Sequence, residues 1–187
     1  MGRPKLLLPW DGETVIARVL SAWQHSRADE VIVVVHPEDD ALARAVQTGG
    51  GTAVRPDEPP PEMKASVLAG LAFVRETFAP AKRDAWLLAP ADMPLLETAA
   101  IDHVIMAHDP ALPRIVIPTY AGLHGHPVLF PWPLAVEVER LPDGEGVNEL
   151  ARRHIPRELP CDRASILADV DTPDDYGEQH PRAKRPT

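Results

Sequence analysis

The sequence predicts an α/β fold: a mostly parallel sheet between layers of helices, with one antiparallel excursion. Three observations carry this. Helical and strand patterns alternate from Thr14 to His108, as expected for a parallel sheet with crossover helices. The strand runs Glu30 to Val35 and Asp84 to Ala89 are short and continuously apolar, as in strands covered on both faces. Beyond Arg114 the alternation loosens, and Gly125-His126-Pro127 bends the chain between two strand-like runs.

The elements follow in order. Asp11-Gly12 marks a turn. From Thr14, Val15, Ile16, Val19, Leu20 and Trp23 fall at helical spacing. Glu30 to Val35 is a strand ending at His36-Pro37. Glu38 to Thr48 is a helix with Asp39 and Asp40 in its first turn, stopped by Gly49-Gly50-Gly51. Ala53 to Arg55 is a short strand and Pro56 to Pro61 a loop. Lys64 to Thr77 is helical, with Val67, Leu68, Leu71 and Val74 in one stripe. Asp84 to Ala89 is a strand that Pro90 must end, because proline has no N–H to donate. Thr98 to His108 is a helix. Arg114 to Pro118 and Pro127 to Phe130 are strands, Leu134 to Arg140 and Val147 to His154 short helices, and Pro156 to Leu159 and Ser165 to Val170 late strands. Thr172 as N-cap, with Pro173 and acids behind it, opens a last helix. Residues 1–176 form one domain, and residues 177–187, polar and proline-rich, read as a flexible tail.

Bulk composition narrows the function classes. The chain has 187 residues, 44% of them hydrophobic, enough for one core. A formal net charge of −9 argues against a nucleic-acid surface. One cysteine, Cys161, rules out an internal disulfide or a cysteine zinc cluster and fits a reducing, cytoplasmic setting. No apolar run is long enough to span a bilayer as a helix.

Chemistry concentrates in three stretches. In Ala89-Pro90-Ala91-Asp92-Met93-Pro94, two prolines stiffen a loop past the carboxyl end of a strand, where open α/β sheets bind ligands. A carboxylate there suits Mg²⁺; Asp92 reads equally as a turn residue capping the next helix. Gly2-Arg3-Pro4-Lys5 carries two cations, and Lys5 alone reads as an ordinary surface lysine. Asp169-Val170-Asp171 carries two acids, of which one also suits the helix start. Together, cations that neutralise phosphate and carboxylates that hold a metal form a set for handling a triphosphate.

The chain resembles the MobA-like nucleotidyltransferase family, in particular its molybdenum cofactor cytidylyltransferase (MocA-like) branch. The matching segments, in order, are Met1 to Leu7, Ser66-Val67-Leu68-Ala69-Gly70-Leu71, Ala91-Asp92-Met93-Pro94, Gly125 to Phe130 and Asp169 to Asp175. The resemblance implies a Rossmann-like three-layer sandwich of the nucleotide-diphospho-sugar transferase type. It implies Mg²⁺-dependent transfer of a nucleotidyl group, CMP from CTP, to a phosphorylated acceptor such as the molybdopterin cofactor, with release of pyrophosphate and a molybdoenzyme as a further partner. By position, Lys5 matches the lysine on the nucleotide phosphates and Asp92 the metal-binding acid, the two catalytic assignments. Arg3 sits in a variable slot of the same motif and Ser66 in the nucleotide-pocket segment. Gly125 and His126 face the second substrate, although a His between Gly and Pro is equally a turn residue. Asp171 matches the late metal site, with Asp169 beside it.

The family places a strand and a glycine-rich loop, roughly Leu-Ala-Ala-Gly-x-Ser-x-Arg, before the motif with which this sequence opens. Without that strand the sheet should show a gap of about 10 Å between its neighbours. The expectation is a start further upstream by roughly twenty residues, one strand and its loop. Glu62 also stands where the family often has Gly. Two other readings compete with the enzyme. One is a catalytically impaired cofactor-binding or molybdoenzyme-maturation module lacking the phosphate loop. The other is a glycosyltransferase using Asp169-x-Asp171, disfavoured by Pro4-Lys5-Leu6-Leu7 and Asp92-Met93-Pro94.

Overall fold

The structure, a computed structural model, describes residues 5–180. Arg3 therefore lies outside the described residues, as do residues 181–187 of the expected tail.

The described chain starts with a 3-10 turn at Lys5–Leu7 and a small antiparallel ribbon, β1 (Pro9–Trp10) and β2 (Glu13–Thr14). Asp11 and Gly12 turn it with φ of 46° and 97°, the left-handed geometry for which Asp-Gly is suited. Helix α1 (Val15–Gln24) follows at once, and the Thr14 side chain caps it by accepting from the Ala17 N–H. Strands β3 (Ile32–Val34) and β4 (Thr52–Val54) run parallel, with α2 (Asp40–Thr48) as the crossover. Then come α3 (Met63–Phe78), β5 (Ala85–Leu88) and α4 (Thr98–Met106).

The second half builds the larger sheet from β5, β6 (Val116–Tyr120), β7 (Leu123–His124), β8 (Val128–Pro131) and β9 (Arg157–Pro160). Strand β8 lies antiparallel to both β5 and β6, and β9 is parallel to β6. The expected antiparallel excursion thus inserts β8 between two strands of common direction, which makes the sheet mixed. The α/β class itself holds.

Alternation along the strands makes three layers, because successive side chains leave opposite faces. Trp86, Leu88, Val128 and Phe130 pack against Val67 and Leu71 of α3 and against α5 (Ala135–Glu139) and α6 (Asn148–Arg153). Leu87 faces the other way, toward Ala22 of α1 and Ala100 and Ile101 of α4; Val104, Val116 and Leu129 extend that layer. Each such fully buried aliphatic side chain contributes about 1.5–3 kcal/mol.

Among the described residues, β3 pairs only with β4 and β5 only with β8, so the sheet is in two parts. Every residue of β3, β4 and β5 is half-buried. The sequence had suggested enclosed strands at Glu30 to Val35 and Asp84 to Ala89. An interior strand needs a bonded neighbour on each side to be enclosed, and these have one.

Two other expectations change. Ser165 to Val170 is not a strand: Ala164–Leu167 is a 3-10 turn. Its backbone bonds go one at a time to different elements, the Ile166 carbonyl accepting from the His126 N–H and the Val170 N–H donating to the Asp92 carbonyl, so no ladder forms. The flexible tail expected from residue 177 begins inside α7 (Pro173–Gln179), which the ring contacts of Tyr176 and His180 with Trp10 hold to the first ribbon. Among the described residues, no helix is long and apolar enough to cross a membrane.

Candidate active site

Three segments meet just past the carboxyl end of β5. The first is the loop after Leu88. Its Asp92 carbonyl accepts from the Val170 N–H at 3.0 Å, which draws in the second segment, residues 169–171. The third is the Lys5–Leu7 turn. Leu6 and Leu7 pack on the cluster of Ile16, Val35 and Leu42, and Leu6 and Leu8 on that of Trp10, Val15 and Val170. These leucines fix the turn, and Lys5 projects from its start. The Tyr176 hydroxyl donates to the Pro9 carbonyl, tying α7 to the same region. Sequence offered no signal for that tie, since the partners lie 167 positions apart.

Lys5 Nζ donates to Asp92 Oδ2 at 2.5 Å and to Asp171 Oδ1 at 3.1 Å. The Asp92 side chain is 15% exposed and that of Asp171 68%. The other Asp92 oxygen, Oδ1, is buried with no hydrogen-bond partner among the described residues. Partial burial acts to lower the Lys5 pKa, but the hydrogen bonds and charges of Asp92 and Asp171 outweigh it and raise the pKa above its ordinary value. The ammonium is fully charged at neutral pH. A buried carboxylate oxygen without a partner is costly, about 1–3 kcal/mol or more, so this atom marks where a ligand cation would be stabilised.

His126 borders the same place. Its backbone N–H donates to the Ile166 carbonyl at 2.8 Å, and Nδ1 lies 3.4 Å from the Leu88 carbonyl. Burial pushes the imidazole pKa down, against weaker upward pulls from that carbonyl, Asp169 and Asp92. The ring is therefore neutral at pH 7. Gly125 is needed for close approach: a Cβ there would stand 2.6 Å from the Ile166 carbonyl oxygen. Asp169 is exposed, and its backbone carbonyl accepts from Gln179 Nε2 at 2.7 Å; it forms no ion pair with Lys5. Ser66 is half-buried in α3 and makes no hydrogen bond with Lys5, Asp92 or Asp171. The structure thus joins Lys5, Asp92 and Asp171, sets His126 and Asp169 beside them, and shows no hydrogen bond from Ser66 to any of the three.

The donor set fits a hard divalent cation. The two carboxylates offer only oxygens. Among the described residues no group of three or more His, Cys, Asp or Glu could hold an ion alone. Mg²⁺ is commonly held by one or two carboxylates, with water and substrate phosphates completing its shell.

Comparison with known proteins places the chain among relatives. The model of the family described as MobA-like NTP transferase domain matches residues 1–159. The crystal structure of Rv0371c from Mycobacterium tuberculosis H37Rv is 29% identical in sequence, with a TM-score of 0.78 over 95% of this chain and 89% of that one. The same protein in complex with manganese gives 0.77 at 29% identity, over 95% and 91%. A nucleotidyl transferase from Methanothermobacter (Mth528) gives 0.77 at 23% identity, over 96% and 84%, a likeness of fold. No curated protein matches the chain significantly.

Proposed function

The chain belongs to the MobA-like NTP transferase domain family and is a nucleotidyltransferase, and from that premise we propose that it is a Mg²⁺-dependent cytidylyltransferase. It moves CMP from CTP to a phosphorylated acceptor such as the molybdopterin cofactor, in the cytoplasm, releasing pyrophosphate. The product would pass to a molybdoenzyme. The observation that carries this reading is the Lys5 ammonium held between Asp92 and Asp171. One cation and two carboxylates at the carboxyl end of β5 are what a metal-bound triphosphate requires. The preference for CTP and a pterin acceptor rests on the Ser66 to Leu71 and Gly125 to Phe130 segments. A divalent ion is in keeping with the manganese complex of Rv0371c.

An oxygen of the acceptor phosphate attacks the α-phosphorus of the nucleotide. The new P–O bond forms as the bond from the α-phosphorus to the α,β-bridging oxygen breaks, and that electron pair leaves with pyrophosphate. The acceptor phosphate is already anionic, so no strong base is needed. Lys5, joined in sequence by Arg3 of the same motif, neutralises phosphate oxygens, and Ser66 lines the nucleotide pocket. Asp92 and Asp171 hold the ion, with Asp169 an outer acid. Mg²⁺ bound there would neutralise charge that builds on the phosphates. Gly125 and neutral His126 face the acceptor.

Pyrophosphate release tests this. With Mg²⁺ and a phosphorylated pterin, CTP should turn over faster than GTP, and Asp92→Ala should lower kcat by about 10²–10³-fold while melting as a folded protein. Wild-type turnover by that folded variant would refute the role of Asp92, and preferential use of GTP would refute the base assignment.

A further inference from the structure

Lys5 is tied by both of its side-chain ion pairs to the two carboxylates assigned to the metal. We infer that Lys5 is the counter-cation of Asp92 and Asp171 in the metal-free protein, and that divalent metal exchanges with it and releases the ammonium to the triphosphate. The inference rests on the reading of Asp92 and Asp171 as the metal pair and adds a second role for Lys5.

The contacts favour the exchange. Lys5 Nζ uses Asp92 Oδ2 and Asp171 Oδ1, one oxygen from each carboxylate. A divalent ion drawn to the same two acids would stand within a carboxylate's width of the ammonium, and like charges at that range repel. Asp92 Oδ1, buried and unpartnered among the described residues, shows that one ammonium does not satisfy the site. A divalent ion brings twice the charge and ligates where an ammonium has only three donors.

The contacts also make the exchange feasible. Lysine carries a compact charge on a flexible four-carbon stem. The Lys5 side chain is 30% exposed, and Asp171, the outer partner, is 68% exposed, so the ammonium has room to swing out on the Asp171 side, the side open to solvent. The main chain need not move, because Leu6 and Leu7 anchor the turn. It follows that triphosphate without metal meets a lysine already engaged, whereas the metal-loaded protein presents a free ammonium. Metal and triphosphate then bind cooperatively, partly through Lys5.

Peptide-resolved labelling of amines with acetic anhydride, normalised to exposed Lys82, tests this on the full chain. Calorimetry on the same samples reports metal occupancy, with folded Asp92→Asn and Asp171→Asn variants locating it. Lys5 should label slowly in EDTA, several-fold faster in saturating Mn²⁺, and slowly again when inorganic triphosphate is added to the Mn²⁺ form. If Mn²⁺ binds through Asp92 and Asp171 while Lys5 labelling is unchanged or slower, the exchange is overturned and the metal site stands. If neither Mn²⁺ nor Mg²⁺ binds, the metal reading of the site fails, and the exchange with it.

Discussion

Lys5 meets one carboxylate that is 15% exposed and another that is 68% exposed, and the two contacts differ in worth. Exposed ion pairs contribute about 0–1 kcal/mol, so Asp171 adds little to stability and is free to change partners. Asp92 is the member whose charge must be compensated. Its place was legible in sequence because Pro90 ends the strand and Pro94 stiffens the loop. Lys5 was not separable from a surface lysine, because its two partners lie 87 and 166 positions away. His126 gives a prediction at this scale. Burial lowers its pKa below 6.5. As pH falls through 6.5 the unfolded chain takes the proton and the folded one does not, so the unfolded state binds more protons. This contribution to stability is complete above pH 6.5 and is lost as pH falls toward the lowered folded value. Urea unfolding at pH 7.5 and 5.5 should show a larger loss for wild type than for His126→Gln. Equal losses would contradict the buried, neutral assignment.

Among the elements, α7 shows how a short helix positions a site. Thr172 Oγ1 accepts from the Asp175 N–H at 3.1 Å, and Asp175 Oδ2 accepts from the Thr172 N–H at 2.7 Å, a capping box that starts the helix one residue after Asp171. Thr172→Ala should cost about 1 kcal/mol, a fall in Tm of about 2–4 °C for a chain of this size. It should also weaken Mn²⁺ binding, since Asp171 loses its fixed flank; calorimetry showing unchanged affinity would separate the cap from the site. The long elements were legible. Helix α1 follows its 3.6-residue pattern from the Thr14 cap, and Thr172-Pro173 marks α7. Ser165 to Val170 misled because Ile166-Leu167-Ala168 is a short apolar run as in a strand, while the backbone partners of Ile166 and Val170 belong to two separate loops. Strands β1 and β7, two residues each, are too short for periodicity to reveal.

For the molecule as a whole, the α/β architecture was legible in the alternation of elements and its antiparallel excursion in the Gly125 to Pro127 bend, and the strand order of the larger sheet was not. A strand's neighbours are set by long-range pairing, and β8 enters between β5 and β6 without any local mark in Val128 to Pro131. The division between β3 and β5 predicts uneven local stability. Amides of β6 and β8, with Val116, Ile117, Leu129 and Phe130 at most 4% exposed, should exchange slowest, and those of half-buried β3 and β4 earlier. Uniform protection across both sheet parts would contradict the division. The site sits on the β5 side, where Asp92, the 169–171 segment and Lys5 converge, and it is there that the nucleotide should be held. The most direct test is calorimetric titration of CTP into the full chain with Mg²⁺ or Mn²⁺, for wild type and Asp92→Asn. CTP should bind wild type in a metal-dependent way, tighter than GTP, and the folded variant should lose the metal dependence. CTP binding that is equal with and without metal, or equal in the two proteins, would contradict the metal site at Asp92.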